Sequence, residues 1–264
     1  MSCGGKALSD PTKTRVFAAV AASKYLSDDI VRLVLDAPEI ARQAQPGQFV
    51  AVRAGQTDSP LLRRPFSIAG SDSEGRIELV FRVVGVGTTF LAAKRPGETL
   101  DIIGPLGHPF EIHDDRPAVL VAGGLGIPPI AFLARVVRER AIPVTLYYGV
   151  QTKAELAVLG DVADCVERLV TSTDDGSAGH HGVISEVVER ELRDNCRLYA
   201  CGPRPLLEIL IRLARERNIP TQLSFEQQMA CGVGACMGCS IATARGYERV
   251  CTDGPVFPAE AFFD

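Results

Sequence analysis

The sequence lacks the features that would tie it to a membrane or to nucleic acid. Its apolar runs, such as Ala118 to Ala122, are short and soon interrupted by glycine or charge. None approaches the roughly 20 apolar residues that span a bilayer. There is no excess of one charge: the net charge is −4 over 264 residues, so nothing calls for nucleic acid or an anionic membrane as partner. Lys6 and Lys13 have no apolar stretch between them, which argues against a signal peptide and makes a cytoplasmic location the expectation. Internal repeats and low-complexity tracts are missing. So is an acid–base or nucleophilic constellation: the four histidines, His108, His113, His180 and His181, lack triad or metal-ligand partners at recognisable spacing. Chemistry carried by bound cofactors needs no such constellation, because the protein then positions and tunes the reacting group.

What is present reads as a folded chain of more than one domain. Hydrophobic residues make up 46% and charged residues 23%, the balance of a globular protein, and 264 residues exceed one ordinary small domain. Residues 1–12 are small and polar and read as a loose tail. From Thr14 to about Gly107 the pattern is β-rich, over Arg15–Ala21, Ile30–Leu35, Phe49–Arg53, Ile77–Val84 and Leu100–Ile103, with one short helix at Thr88–Lys94. Apolar–polar alternation and Pro/Gly punctuation, with few intervening helices, point to an antiparallel barrel or sandwich. After Arg116–Pro117 strands alternate with helices. Strands are expected at Ala118–Val121, Val144–Tyr148, Val166–Thr171 and Leu198–Ala200, and helices near Pro129–Arg140, Ala154–Leu159, Val183–Arg193 and Pro205–Asn218. That rhythm is the signature of a doubly wound parallel α/β sheet. The expected division is a β-barrel domain over 1–112, an α/β domain over 113–221 and a short loop-rich module over 222–264.

The cysteines are unevenly placed. Cys3, Cys165, Cys196 and Cys201 are scattered, whereas Cys231, Cys236, Cys239 and Cys251 fall within 21 residues with the spacing C-x4-C-x2-C-x11-C. C-x4-C-x2-C…C is the plant-type spacing for a [2Fe–2S] cluster. Gly232, Gly234 and Gly238 let the backbone wrap closely around a bulky group and aim N–H groups at its sulfurs. A structural zinc site is the alternative, since four thiolates also suit Zn²⁺; zinc modules, however, usually pair two knuckles, and here there is one.

Four further motifs bear on cofactors. Arg63–Arg64–Pro65–Phe66–Ser67–Ile68 resembles the Arg-x-(Tyr/Phe/Ile)-Ser signature of the ferredoxin reductase superfamily, whose N-terminal barrel binds FAD or FMN. A guanidinium fork matches phosphate oxygens, and a small hydroxyl can approach a flavin edge. Downstream, Phe81–Arg82–Val83 leads to Val84–Gly85–Val86–Gly87–Thr88–Thr89, where Gly87 and Thr88 open the short helix as a candidate pyrophosphate site. In the α/β domain, the turn with Gly123, Gly124 and Gly126 ahead of Pro129 resembles that superfamily's GG-x-G-x-x-P loop. Cys201–Gly202–Pro203 resembles its CGP motif beside the nicotinamide. The nucleotide-site candidates are therefore Gly123, Gly124, Gly126, Cys201, Gly202 and Pro203.

Taken in order, flavin barrel, nicotinamide domain and C-terminal cysteine loop resemble the electron-transfer subunit of type B dihydroorotate dehydrogenase over nearly the whole chain. The most specific stretches are Glu226 to Cys239 and Arg249–Val250–Cys251–Thr252–Asp253–Gly254–Pro255–Val256–Phe257. The resemblance implies FAD held by Arg64 to Ser67 and by Gly87 and Thr88, a [2Fe–2S] cluster on Cys231, Cys236, Cys239 and Cys251, and NAD as the nucleotide. Phe66 stands where relatives vary. The implied partner is an FMN-containing catalytic subunit that oxidises dihydroorotate to orotate in pyrimidine biosynthesis, assembled as a heterotetramer. Electrons then pass through the cluster and FAD to NAD⁺. The sequence itself leaves NAD against NADP open. Two other readings remain: the small subunit of an NAD-dependent ferredoxin:NADP⁺ oxidoreductase, in whose family an aspartate replaces one cluster cysteine, and a redox-sensing binding protein that uses the cluster as a signal.

Overall fold

A computed structural model describes residues 13–55 and 60–263; the tail expected over residues 1–12, and with it Cys3, lies outside them. The first half folds as alternating strands: β1 (Thr14–Tyr25), β2 (Ile30–Asp36), β3 (Phe49–Val52), β4 (Arg64–Ser71), β5 (Arg76–Arg82) and β6 (Thr99–Leu106). They close into a barrel in the order β1-β2-β5-β4-β3-β6, every pair antiparallel. Closure leaves no strand edge exposed. The alternation read from the sequence sends Leu33, Leu35, Ile77, Leu79 and Ile102 into one core, as a period-two pattern requires. Two short helices decorate the barrel, α1 (Pro38–Ala41) and α2 (Val86–Ala92). The second starts two residues before its expected position, because Val84 and Gly85 turn the chain: both backbone N–H groups donate to Thr88 Oγ1, at 2.9 and 3.1 Å.

The second half is the expected doubly wound unit. Strands β7 (Ala118–Gly123), β8 (Val144–Val150), β9 (Arg168–Thr173), β10 (His180–His181), β11 (Arg197–Cys201) and β12 (Thr221–Ser224) pair in parallel. Helices α3 (Ile127–Glu139), α4 (Ile184–Glu191) and α5 (Arg204–Arg217) cover the sheet. The stretch expected as a helix near Ala154–Leu159 is a 3-10 segment, Lys153–Cys165, broken by Gly160 at φ +50°. Helix α3 also joins the two halves, with Phe132 in the barrel core and Arg135 donating to the Ala69 carbonyl at 2.8 Å.

The C-terminal segment has more order than a loop-rich module. It forms a hairpin, β13 (Ser240–Thr243) with β14 (Gly246–Arg249), followed by β15 (Val256–Pro258) and a 3-10 turn. Strand β15 adds antiparallel to β12 and completes the seven-stranded order β10-β9-β8-β7-β11-β12-β15. Strand β12 itself runs across the expected boundary at 221/222. The segment's apolar residues, Ile241, Val250 and Phe257 with the cysteines Cys239 and Cys251, share a core with Phe49, Ala51 and Leu106 of the barrel. Among the described residues no helix is long and apolar enough to cross a membrane.

One polar cluster braces the barrel at β6. The Asp101 carboxylate accepts from Arg15 Nε and a terminal nitrogen at 3.0 and 2.8 Å, and from Arg63 at 2.7 Å. Burial would push this carboxyl up, but the hydrogen bonds and charges of Arg15 and Arg63 outweigh it and hold it below the ordinary range. A depressed carboxylate stabilises the fold above its unfolded pKa of about 3.9 and loses that contribution as pH falls through its folded value. Asp101→Asn is therefore expected to lower stability at pH 7 by roughly 1.5–3 kcal/mol, the range for hydrogen bonds to charged groups. Denaturant midpoints should show a smaller gap between variant and wild type as the pH drops below about 4.

Candidate functional site

Three sites sit where the two halves and the C-terminal module meet. The first is a cleft of about 380 Å³ on the barrel face of the junction. Of the residues read as flavin-binding, Pro65, Phe66, Ser67, Phe81, Arg82 and Thr88 line it. Phe66 and Phe81 stack at 5.1 Å between centroids. Val83 packs against the barrel core. The two adjacent arginines, Arg64 opening β4 and Arg63 just before it, have different surroundings. Arg63 is committed to Asp101 and to backbone carbonyls of Ala51 and Asp101, whereas among the described residues Arg64 bonds only the Leu62 carbonyl, at 2.6 Å. A Cβ on Gly87 would stand 3.2 Å from Arg64 Nε, so glycine is what lets this loop approach the guanidinium. The Thr88 hydroxyl is already occupied by the backbone of Val84 and Gly85. It shapes the turn and has little capacity left as an anion donor.

The far wall of this cleft was not read from the sequence. It comes from Leu125 and Pro128 of the α/β unit, and from Ser224, Phe225, Glu226, Gln227 and Met229. These last residues follow the carboxyl end of β12, where open α/β sheets place ligands, and that position was the available signal.

The second site is a cleft of about 570 Å³ over the carboxyl ends of the parallel strands, lined by Gly123, Gly124, Gly149, Val150, Gln151, Asp174, Ile184 and Pro203 among others. Its two sequence-predicted turns pack backbone against backbone. A Cβ on Gly126 would lie 2.2 Å from the Cys201 carbonyl oxygen, and one on Gly123 2.7 Å from Pro203. Gly124, with φ +54°, has nothing within 4 Å of its Cβ position, which leaves an open backbone cradle. Gly126, Cys201 and Gly202 thus support the cleft from behind, while Gly123, Gly124 and Pro203 face it. Burial pushes the Cys201 thiol well up, and the nearby Glu226 carboxylate adds to this. Arg82 lines both clefts and ties them together, bonding Asp29 at 2.7 Å and Glu155 at 2.6 Å.

The third site is the cysteine loop. The hairpin register pairs Ser240 with Arg249, so the eleven residues between Cys239 and Cys251 fold back on themselves. The Cys251 N–H then donates to Cys239 Sγ at 3.4 Å. Cys231 and Cys236 form the other close pair, with backbone N–H groups of Val233 and Ala235 at 3.5 and 3.3 Å from Cys231 Sγ. Burial pushes the Cys231 thiol up, but these hydrogen bonds prevail and hold it at about 6. Burial and the neighbouring Cys239 push Cys251 up to about 12. Gly232 and Gly234 have φ of +68° and +84°, and Arg249 closes the loop by bonding the Gly234 carbonyl at 3.0 Å and the Asp253 carboxylate. Among the described residues no group of three or more His, Cys, Asp or Glu side chains is arranged to hold one metal ion. The charge of Cys231 also acts on Cys251, so the two thiol pairs are neighbours, and four thiolates in two pairs are the donor set of a two-iron cluster. Cys236 is the exposed member, and Cys239 and Cys251 are buried.

Gly126→Ala puts a methyl group into the Cys201 carbonyl, and relief requires one turn to move. We expect a loss of roughly 1–3 kcal/mol, as for other overpacked sites, read as a lower denaturant midpoint. Gly124→Ala has open space in front of it and should cost less than Gly126→Ala, limited to the strain of a left-handed alanine.

Comparison with known proteins agrees with this architecture. Residues 18–110 match the oxidoreductase FAD-binding domain, and residues 226–262 match the iron–sulfur cluster binding domain of dihydroorotate dehydrogenase B. The chain is 37% identical to the dihydroorotate dehydrogenase B (NAD(+)) electron transfer subunit of Desulforamulus reducens, covering 93% of this chain and 97% of that one. It is 40% identical to the corresponding subunit of Geobacillus kaustophilus, over 91% and 95%. Among solved structures, an NADH-dependent reduced ferredoxin–NADP oxidoreductase, studied for flavin-based electron bifurcation, aligns with a TM-score of 0.83 and 28% identity, covering 98% of this chain and 90% of that one. The ferredoxin reductase of carbazole 1,9a-dioxygenase aligns with a TM-score of 0.68 and 26% identity, over 79% and 67%. With two curated relatives matched at these identities over nearly their full lengths, the chain belongs to the family of dihydroorotate dehydrogenase B electron-transfer subunits, oxidoreductase subunits with FAD-binding and iron–sulfur-binding domains on a ferredoxin reductase-like fold.

Proposed function

We propose that the chain takes electrons from an FMN-containing catalytic subunit that oxidises dihydroorotate, and delivers them to NAD⁺ in pyrimidine biosynthesis. The assembly would be a heterotetramer in the cytoplasm. The observation that carries this reading is the meeting of three sites at one junction: Arg82 lines both clefts, and Met229 lines the first cleft two residues before Cys231. When bound, FAD exchanges a hydride with a nicotinamide as an electron pair, and a [2Fe–2S] cluster passes electrons singly.

The chain's own residues hold and aim these groups. Arg64, free of the Asp101 cluster, is the phosphate clamp, and Gly87 gives it room. Pro65, Phe66, Ser67 and Phe81 form the ring wall, Ser67 with a hydroxyl small enough to reach a flavin edge. Gly123 and Gly124 cradle the nucleotide's pyrophosphate, and Cys201, Gly202 and Pro203 set the depth of the nicotinamide end. Cys231 with Cys236, and Cys239 with Cys251, are the two ligand pairs. The likeness to the bifurcating ferredoxin–NADP enzyme extends over the same fold but at 28% identity, below the 37–40% of the dihydroorotate dehydrogenase B relatives. A redox sensor would need neither the flavin cleft nor the nucleotide cleft.

Arg64→Ala is expected to weaken FAD retention roughly tenfold or more, the effect of losing a charge-assisted phosphate contact. Arg63→Ala should act on barrel stability and spare FAD affinity. Flavin content after dialysis and FAD titration of the apoprotein distinguish the two; equal FAD loss in both variants would refute the assignment. The function itself is tested with Cys236→Ser in a complex reconstituted with the catalytic subunit. Dihydroorotate-dependent reduction of NAD⁺ should be abolished, while NADH oxidation by a small two-electron dye should largely persist. Full retention of the dihydroorotate reaction would remove the cysteine loop from the electron path.

A further inference from the structure

Apart from its thiols, the cysteine loop carries no ionisable side chain. From Gln227 to Ala244 there is no Asp, Glu, Lys, Arg or His. The next charged residues, Arg245, Glu248, Arg249 and Asp253, belong to the hairpin and to the turn that follows it. Arg245 and Glu248 bond each other at 2.9 Å beside the hairpin turn. Arg249 and Asp253 form the second pair, and this one is wrapped around Cys251.

The wrapping is done by hydrogen bonds. The Arg249 carbonyl accepts from the N–H groups of Thr252, Asp253 and Gly254 at 3.2, 2.8 and 3.3 Å, so the turn encloses Cys251. The Arg249 N–H and Nε both donate to one Asp253 carboxylate oxygen, at 2.7 and 3.1 Å. One terminal nitrogen donates to the other oxygen at 3.3 Å, and the second donates to the Gly234 carbonyl at 3.0 Å. Gly234 stands in the Cys231–Cys236 loop, and its own N–H donates to Cys251. Arg249 therefore links the two thiol pairs. The Arg249 and Asp253 side chains are only 34% and 32% exposed, and the charge of Arg249 acts on both Cys251 and Cys239. Three hydrogen bonds hold the guanidinium, so its charge stays in place when the charge beside it changes.

We propose that the Arg249–Asp253 pair sets the reduction potential of the cluster on Cys231, Cys236, Cys239 and Cys251, Arg249 raising it and Asp253 limiting the rise. One added electron brings one more negative charge to a four-thiolate site, and the potential of such a site follows the charge and hydrogen bonding around it. A fixed cation beside the cysteines favours the state with the extra electron, and a carboxylate opposes it. The pair thereby sets the driving force of the one-electron steps into and out of the cysteine loop. The proposal rests on the reading that these four cysteines hold a [2Fe–2S] cluster.

The test is a titration of the midpoint potential with dithionite and redox mediators, followed by electron paramagnetic resonance on the purified protein with FAD and iron bound. Arg249→Gln should shift the equilibrium roughly tenfold toward the oxidised cluster, a fall of about 59 mV for a one-electron couple. Asp253→Asn should shift it the opposite way. Arg249→Lys keeps the charge and loses the fork, and should stay closer to wild type than Arg249→Gln. A brace that only holds the loop together would give iron loss in these variants without opposed shifts. Where Arg249→Gln retains no iron, the sign of the Asp253→Asn shift decides. Shifts of one sign in Arg249→Gln and Asp253→Asn, or no rise in Asp253→Asn, would overturn the proposal and leave the cluster reading standing. A wild type without iron and acid-labile sulfide after anaerobic preparation would overturn both.

Discussion

Phe49, Ala51 and Leu106 of the barrel share one apolar core with Cys239, Ile241, Val250, Cys251 and Phe257 of the C-terminal segment. The arrangement of the three sites depends on that contact. A segment of some forty residues rich in glycine cannot bury enough surface to fold alone, and this one borrows the outer face of β3 and β6. The loan fixes the cysteine loop beside the barrel, with the Cβ position of Gly232 3.6 Å from Ala51. It also carries Phe225 to Met229 across the mouth of the flavin cleft on the way. The cysteine loop and the first cleft are neighbours because one hydrophobic core is built from both ends of the chain.

The nucleotide cleft depends on a different constraint, the approach of two backbones. Gly126 meets the Cys201 carbonyl and Gly123 meets Pro203 at distances that leave no room for a side chain. A helix and two strands can therefore end at one point, which lets the ends of β7 and β11 form the floor of one cleft. Arg82 then spans the gap between barrel and sheet with an acidic partner on each side. Because its charge is used in this bridge, the cleft presents, among the described residues, one carboxylate without a partner, Asp174, and no free cation in its lining.

Much of this was legible in the sequence. Alternation in β2 and β5, the unbroken apolar run of β7 and the glycine turn after it have local causes, the period of a half-buried strand and the left-handed φ of Gly124. The cysteine spacing was legible for the same reason: eleven residues are a four-residue strand, a turn and a four-residue strand with their flanks, and that hairpin brings Cys239 to Cys251. Thr88 was read less well. Glycine–threonine at a helix start resembles an anion site, yet the hydroxyl closes its own turn. Only the hydrogen-bond partners distinguish the two uses.

The sequence by itself determined which candidate motifs stand where: four cysteines at plant-type spacing, an arginine–serine strand and two glycine-bearing turns. Each is a short motif whose meaning lies in local backbone geometry. The tertiary structure decided which of two adjacent arginines is free, because Asp101, 38 residues away in the chain, claims Arg63. It also decided that Ser224, Phe225, Glu226, Gln227 and Met229 wall the first cleft and that Asp174, directly after β9, stands in the second. These are long-range facts. They follow from closure of the barrel and from the strand order of the sheet, and no window of neighbouring residues contains either.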